Sequence, residues 1–304
     1  MKGVLATSRL LIFCGKGGVG KTTVALAAGL KHARAGRKVL VVSSHPLAEL
    51  ALAVSLEGLG FKYPEAARNL FVVHIDPKEL ITDLVNKHFP VPAMATRILN
   101  SKIFTNLIRV APGLKEFFFL GRMQELAERK NADATAPAYE YLIWDAPASG
   151  HFLSTLRAAK SFELFLSGPL SAAGAQLHRF FSNRRNIQVV PVTPLEEMAI
   201  AETLELTQSL RKEFEVQCCT VIVNCVSPVC TASDEGLAVL VALPEKSEAM
   251  RFAVNRGVQE RERLADLTTS LPSKQVLIPR ITHWANDLDL LAKVGERLDM
   301  AQFA

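Results

Sequence analysis

The stretch Gly15-Lys16-Gly17-Gly18-Val19-Gly20-Lys21-Thr22-Thr23 limits what this chain can fold into more than any other. The apolar run Leu10-Leu11-Ile12-Phe13-Cys14 leads into it, and Val24-Ala25-Leu26-Ala27-Ala28 leads out with helical character. Strand, glycine-rich turn and helix in that order make the phosphate-binding arrangement G-x-x-x-x-G-K-[ST]. Glycines let the backbone turn tightly, so that successive N–H groups face one anion. The helix N-terminus adds partial positive charge at the same point. Gly15 through Thr23 are therefore expected to cradle a phosphate chain. Lys21 should reach the β- and γ-phosphates, and the Thr22 hydroxyl should ligate Mg²⁺. The bland alternative, a turn that binds nothing, is disfavoured by the complete pattern and both flanks.

The same turn sets the architecture. Lys38-Val39-Leu40-Val41-Val42 is a second apolar run, so strand, helix and strand form a βαβ unit and predict a parallel sheet. Further strands are expected at 70–75, at 141–144 ending on Asp145, and at 187–192, 220–223 and 276–278. Helical patterns run from Leu195 to Phe214, from Ser247 to Leu267 and from Trp284 to Leu298. This alternation predicts one α/β domain over 1–304, a parallel sheet wound on both faces by helices. With 49% apolar residues among 304, the chain can enclose a large core. It contains no apolar run of about 18 residues, so no transmembrane segment is expected. Its first residues lead straight into a strand rather than reading as a signal peptide. Five cysteines without a disulfide framework fit a cytoplasmic location. A net charge of +5 is mild and predicts no nucleic-acid partner.

Residues 76–130 are too long for one crossover and read as a helical insert. Leu80, Leu84 and Phe89 lie on one stripe, Ile98, Ile103, Leu107 and Ile108 on another, and Phe117-Phe118-Phe119-Leu120 form a dense apolar cluster. Such stripes serve either a partner or the chain's own core, and the core is the commoner use. The charge-rich stretch Pro244–Leu271 reads as a solvated amphipathic helix. Leu288, Leu291, Val294 and Leu298 share one face of a final helix packed on the sheet. Asp287, Asp289, Glu296 and Asp299 argue against that helix being a membrane anchor.

Several separated stretches resemble the ArsA family of deviant P-loop ATPases, related to the MinD and ParA proteins. The family includes arsenite-pump ATPases and factors that deliver tail-anchored membrane proteins. A lysine directly after the first glycine is by itself a solvated loop charge. In K-G-G-V-G-K-T, however, Lys16 matches the family's extra lysine, which reaches across a dimer to the partner's nucleotide. Asp145-Ala146-Pro147-Ala148-Ser149-Gly150-His151 resembles the second switch, D-T-A-P-T-G-H. Ala111-Pro112-Gly113-Leu114-Lys115-Glu116 resembles the segment closing the family's helical insert, and Val192-Thr193-Pro194 leads a helix containing Glu202-Thr203. The resemblance implies that Asp145 holds Mg²⁺ through water and that Gly150 and His151 respond to the γ-phosphate. It also implies that Asn224 and Pro279 belong to the nucleotide-binding set, Asn224 on the adenine. ATP and Mg²⁺ are the implied cofactors. The implied partners are a second copy or a related ATPase, and a hydrophobic-helix client or membrane-associated protein.

Two departures bear on activity. The family's first switch reads S-T-D-P-A-H and its aspartate positions the attacking water, whereas this chain reads Ser43-Ser44-His45-Pro46-Leu47-Ala48. His45 stands in the aspartate's place, either as a general base or as the mark of weak turnover. Between Cys14 and Cys218 there is no cysteine to supply a soft metalloid site, which argues against arsenite pumping. Cys225 and Cys230, four residues apart in place of C-x-x-C, argue against a zinc clasp. Cys218, Cys219 and Cys225 read instead as small apolar residues in or beside a strand. The expected activity is ATP hydrolysis by a dimer, with Lys16, Lys21 and His45 as catalytic candidates, opening and closing a helical client surface. The alternatives are a hydrolysis-impaired half paired with an active relative, and a positioning ATPase like MinD or ParA.

Overall fold

The computed structural model describes residues 10–44, 65–76, 80–82, 101, 113–128, 139–165, 167–243 and 247–300. Among the described residues eight strands form one sheet: β1 Leu10–Cys14, β2 Val39–Ser43, β3 Glu65–Ala67, β4 Leu70–His74, β5 Tyr141–Asp145, β6 Ile187–Thr193, β7 Thr220–Val226 and β8 Lys274–Pro279. Their order across the sheet is β3-β4-β2-β5-β1-β6-β7-β8. The β3–β4 edge hairpin is antiparallel and the other pairings are parallel. Among the described residues the helices are α1 Lys21–Arg34, α2 Leu114–Glu128, α3 Ser149–Phe165, α4 Pro169–Phe181, α5 Glu197–Phe214, α6 Asp234–Ala242, α7 Glu248–Ser270 and α8 Asp287–Met300.

All five residues of β1 are buried, because alternate side chains enter different layers. Leu10, Ile12 and Cys14 join the apolar layer that includes residues of α2, α3, α4 and α5. Leu11 and Phe13 join the layer that includes residues of α1 and α8. A strand enclosed on both faces reads as an unbroken apolar run, as Leu10–Cys14 does. Each such side chain contributes roughly 1.5–3 kcal/mol by leaving water. The first layer holds an aromatic stack: Trp144 lies 5.2 Å from Phe119 and 5.4 Å from Phe152, and Phe117 stacks on Phe162 at 4.2 Å.

The Phe117–Leu120 cluster therefore serves the core: Phe117, Phe119 and Leu120 are buried and Phe118 packs against them. The rest of the expected insert, including Leu84, Phe89, Ile98, Ile103, Leu107 and Ile108, lies outside the described residues. The last helix packs on α1 as well as on the sheet, with Leu291, Val294 and Leu298 buried and Gly295 close to the Ala27 carbonyl. One local expectation needs correction. Glu260, inside the stretch read as solvated, is 3% exposed. It tolerates burial because it accepts from Ser227 N at 2.8 Å and pairs with Arg256 at 3.0 Å. Cys218 and Cys219 lie directly before β7 and Cys225 within it, in or beside a strand as expected; Cys218 is buried, whereas Cys219 and Cys225 are exposed. Cys225 has a φ of 59° at a register shift between β7 and β8, which turns its side chain out. Among the described residues no helix is long and apolar enough to cross a membrane.

Candidate active site

Strand order builds the site. β1 lies between β5 and β6, and the chain reaches the β5 side first before crossing to β6. The C-terminal end of β1 is thus a topological switch point, where open α/β sheets bind ligands. The Gly15–Gly20 turn leaves β1 there and delivers the chain to α1.

Geometry explains two of the glycines. Gly15 has φ 142°, and a Cβ on it would lie 2.3 Å from the Val192 carbonyl oxygen. Gly20 has φ 90°, and its Cβ would lie 2.4 Å from Asn224 Nδ2. Both positions combine a backbone that L-residues avoid with a neighbour that leaves no room. Gly17 and Gly18, in contrast, are exposed and would meet nothing within 4 Å. The cradle is packed against the sheet below and open above, which is the shape a phosphate chain requires.

Around it stand the side chains that the sequence singled out. Lys21 is 6% exposed, and its Nζ donates to the Lys16 carbonyl at 2.8 Å. Thr22 Oγ1 donates to Asp145 Oδ2 at 2.8 Å, bringing together residues 123 positions apart. Ser43 Oγ, at the end of β2, donates to the same oxygen at 3.0 Å. Ser44 caps the end of β5, its N–H and hydroxyl both donating to the Asp145 carbonyl, at 3.1 and 2.8 Å. Asp145 is fully enclosed. Hydroxyl and carboxylate oxygens are the donors a hard divalent cation takes, so Thr22 and Asp145 fit Mg²⁺. Asn224, in the C-terminal half of β7, donates through Nδ2 to the Val19 carbonyl at 2.9 Å and braces the turn. Pro279 ends β8, two strands from β6. Lys16 is half-buried on the turn. His45 lies outside the described residues.

Ser149 and Glu202 have parts that pattern reading did not assign. Ser149 opens α3; its N–H donates to the Gly15 carbonyl at 3.1 Å and its hydroxyl donates to Glu202 of α5. The second-switch segment is thereby tied to the cradle and to a neighbouring helix on the same face of the sheet. The only sequence signal for Glu202 was its place in the helix after β6. Beyond the switch, Ser44, His74, Lys115, Trp144, Pro147 and His151 border a cavity of about 350 Å³ between the strand ends and α2. Pro147 and His151 thus share a space with the first turn of α2.

Burial holds the Lys21 amine below its ordinary range, opposed by the nearby charges of Asp145, Cys14 and Glu202. The sign of the pH effect follows. In the window between the lowered value and 10.5, the unfolded chain binds more protons at Lys21 than the folded one. The ligand-free protein therefore gains stability from this group as pH rises through that window. A bound polyphosphate reverses the balance, because its charge favours the ammonium. Nucleotide uptake is expected to draw in a proton at alkaline pH, and affinity to fall as pH rises past the lowered value. Calorimetry in buffers of different ionisation enthalpy measures that proton directly, and no uptake in Lys21→Met assigns it.

Comparison with known proteins adds the relationship. The family model for anion-transporting ATPases, ArsA_ATPase, matches residues 8–174. ATPase BagA of Mycobacterium tuberculosis is 28% identical over 229 residues, covering 72% of this chain and 66% of that protein. A protein named as an arsenical pump-driving ATPase of Chlorobaculum tepidum is 27% identical over 177 residues, covering 54% of this chain and 41% of its own length. ATPase GET3 of Chaetomium globosum is 29% identical over 160 residues, covering 52% and 45%. The chain thus spans between 41% and 66% of the length of these relatives.

Proposed function

Because this chain belongs to the ArsA family of anion-transporting ATPases, we propose that it binds Mg-ATP in the Gly15–Thr23 cradle and hydrolyses it between two paired molecules. The nucleotide cycle opens and closes a helical surface for a client or partner. The observation that carries this reading is the convergence of Thr22, Ser43 and Asp145 within hydrogen-bond distance. It occurs beside a glycine cradle with an open outer face.

The chemistry asked of the protein is positioning and charge stabilisation at the β–γ bond. Backbone N–H groups of the cradle and the α1 N-terminus hold the phosphate oxygens. Lys21 exchanges its hold on the Lys16 carbonyl for the terminal phosphates. Thr22 and Asp145 would hold the cation through their hydroxyl and carboxylate oxygens. Mg²⁺ supplies a point charge that offsets the negative charge of the phosphate oxygens. Lys16 of each molecule serves the nucleotide held by the other. Gly150 and His151 follow the γ-phosphate; the Ser149–Glu202 hydrogen bond carries the change towards α5, and the cavity that Pro147 and His151 share with the first turn of α2 carries it towards α2. Asn224 and Pro279 complete the adenine side. This reading needs no nucleic acid and no transmembrane segment of the chain itself, and sets the cycle in the cytoplasm.

His45 supports a second reading, a hydrolysis-impaired half that pairs with an active relative. The test is light scattering and steady-state turnover on the purified chain with Mg²⁺. With a slowly hydrolysed ATP analogue, wild type is expected to double in mass, and Lys16→Ala to remain single while still taking up nucleotide. Pairing unaffected by Lys16→Ala sinks the shared-nucleotide proposal. His45→Asp then divides the two readings: a rise in turnover identifies the impaired half, and a fall identifies His45 as a base.

A further inference from the structure

The parallel strands begin at the end of the sheet opposite the cradle, and the turns that enter them lean to one sign of charge. Among the described residues those turns carry Arg37 and Lys38 before β2, Arg68 before β4, and Arg184 and Arg185 before β6, all exposed. Their acids are Glu140 before β5 and Glu215 before β7. Glu140 is paired with Arg37 at 3.0 Å, and Glu213 in the last turn of α5 is paired with Arg157 at 2.6 Å. The last turns of α1, α4 and α5 reach the same end with Lys31, Arg34, Arg179, Arg211 and Lys212. Those cations answer the negative ends of the helix dipoles. The cations of the turns stand beyond the helices, where the dipole falls away. Hydrogen bonds fix the turns along the edge. Val39 N donates to the Asn69 carbonyl at 2.9 Å, Glu140 N to the Lys38 carbonyl at 2.7 Å, and Leu10 N to the Asn186 carbonyl at 3.1 Å. Arg184 donates to Gln217, on the turn before β7, at 3.2 Å.

From β4 to β6 the row crosses four strand spacings, about 19 Å, and it lies roughly 20 Å from the cradle along the strands. Arginine supplies four of its five cations, and the planar guanidinium fork suits phosphate oxygens. Phosphate-bearing partners differ in what they need besides charge. Duplex readers set a helix or a ribbon into a groove, whereas this row consists of short turns that helices enter by their C-termini. Single strands are gripped by aromatic rings on which the bases stack. Here Tyr139 is buried and the Tyr141 ring lies under Arg37, at 5.8 Å. No exposed large apolar side chain of the described residues belongs to these turns, so nothing in them inserts into a hydrocarbon layer. A broad row of arginines without reading helix, stacking ring or wedge matches a plane of phosphates, which is the surface of an anionic bilayer.

We infer that the strand-start face, through Lys38, Arg68, Arg184 and Arg185, docks this chain on an anionic lipid surface with its nucleotide end turned away from the bilayer. The contact is held by charge without insertion, and it does not rest on the ATP reading. The test is co-sedimentation of the full chain with vesicles of phosphatidylcholine alone and of phosphatidylcholine with about 30% phosphatidylserine, whose negative surface potential attracts bases. Wild type should bind the acidic vesicles and not the neutral ones, and should be released as salt rises from about 0.1 M to about 0.5 M. Near an acidic leaflet each basic residue is worth about 5-fold in affinity. R184E/R185E should therefore bind at least ~25-fold more weakly, and K38E/R68E, at the other end of the row, should lose a similar factor. Melting temperatures equal to wild type show that the variants are folded, and either pair decides the matter if the other does not fold. Three results overturn the inference: wild type stays in solution with both kinds of vesicle, it binds neutral vesicles as tightly as acidic ones, or the folded variants bind as wild type does. A DNA or RNA duplex that strips wild type from the vesicles at equal phosphate concentration also overturns it and gives the row to nucleic acid. Docking by a wild type that takes up no Mg-nucleotide would leave this contact standing while the ATP reading fails.

Discussion

Lys21→Met is expected to cost at least ~100-fold in Mg-nucleotide affinity while leaving the melting temperature unchanged or higher. The binding loss follows from what a lysine does against phosphate. Charge-assisted hydrogen bonds are worth about 1.5–3 kcal/mol each, and about 2.7 kcal/mol is a factor of ~100 in affinity. The stability gain follows from burial. Lys21 is 6% exposed with a carbonyl as its near partner, and burial outweighs the favourable charge of Asp145 in setting its proton affinity. Methionine fills a similar volume without a charge to desolvate. Most substitutions of enclosed residues destabilise, so a binding-dead protein that melts no earlier is a demanding outcome. A melting temperature several degrees lower would show that the ammonium holds the turn together, and retained affinity would remove Lys21 from the site.

The second large effect separates glycines within one turn. Gly15→Ala is expected to destabilise the protein by about 3 kcal/mol and to abolish nucleotide uptake. Its φ of 142° is strained for an L-residue, and the new methyl group would lie 2.3 Å from the Val192 carbonyl oxygen. Backbone strain and overpacking against a buried strand each contribute about 1–3 kcal/mol. Two positions on, Gly17→Ala meets nothing within 4 Å. Surface changes of that kind stay within about 0.5 kcal/mol. Gly17→Ala should therefore fold normally, and any effect it has on nucleotide affinity reports the phosphate directly. Equal melting temperatures for the two variants would mean that the turn is not seated against β6 as described. Chemical denaturation of both, with calorimetry on the folded one, reads the comparison.

Contrasts of this sort mark where reading the chain by pattern stops. The Leu10–Cys14 run, the glycine turn and α1 are local features, and their types were legible because a doubly covered strand and a helix leave different periods. Thr22 was assigned to the cation by its place in the motif, and Asp145 by resemblance to the second switch. What the pattern could not supply was Ser43 as a co-donor to the same carboxylate oxygen, or Ser149 bridging Gly15 and Glu202. Those contacts depend on β2, β5 and β1 lying side by side in that order. Edge strand β3 escaped notice because three residues carry no readable period. Residues 237–243 are apolar without a polar face, so period could not distinguish a buried strand from the exposed helix they form.

By itself the sequence determined that a phosphate-binding turn would sit between a buried strand and a helix in a parallel sheet. Those outcomes follow from backbone freedom at glycine and from the spacing of apolar side chains, both properties of neighbours in the chain. Only the tertiary structure decided which distant groups share the site, that the Phe117–Leu120 cluster turns inward, and that α6 does not. Burial is a relation between segments, and strand pairing brings together residues that the chain separates by more than a hundred positions.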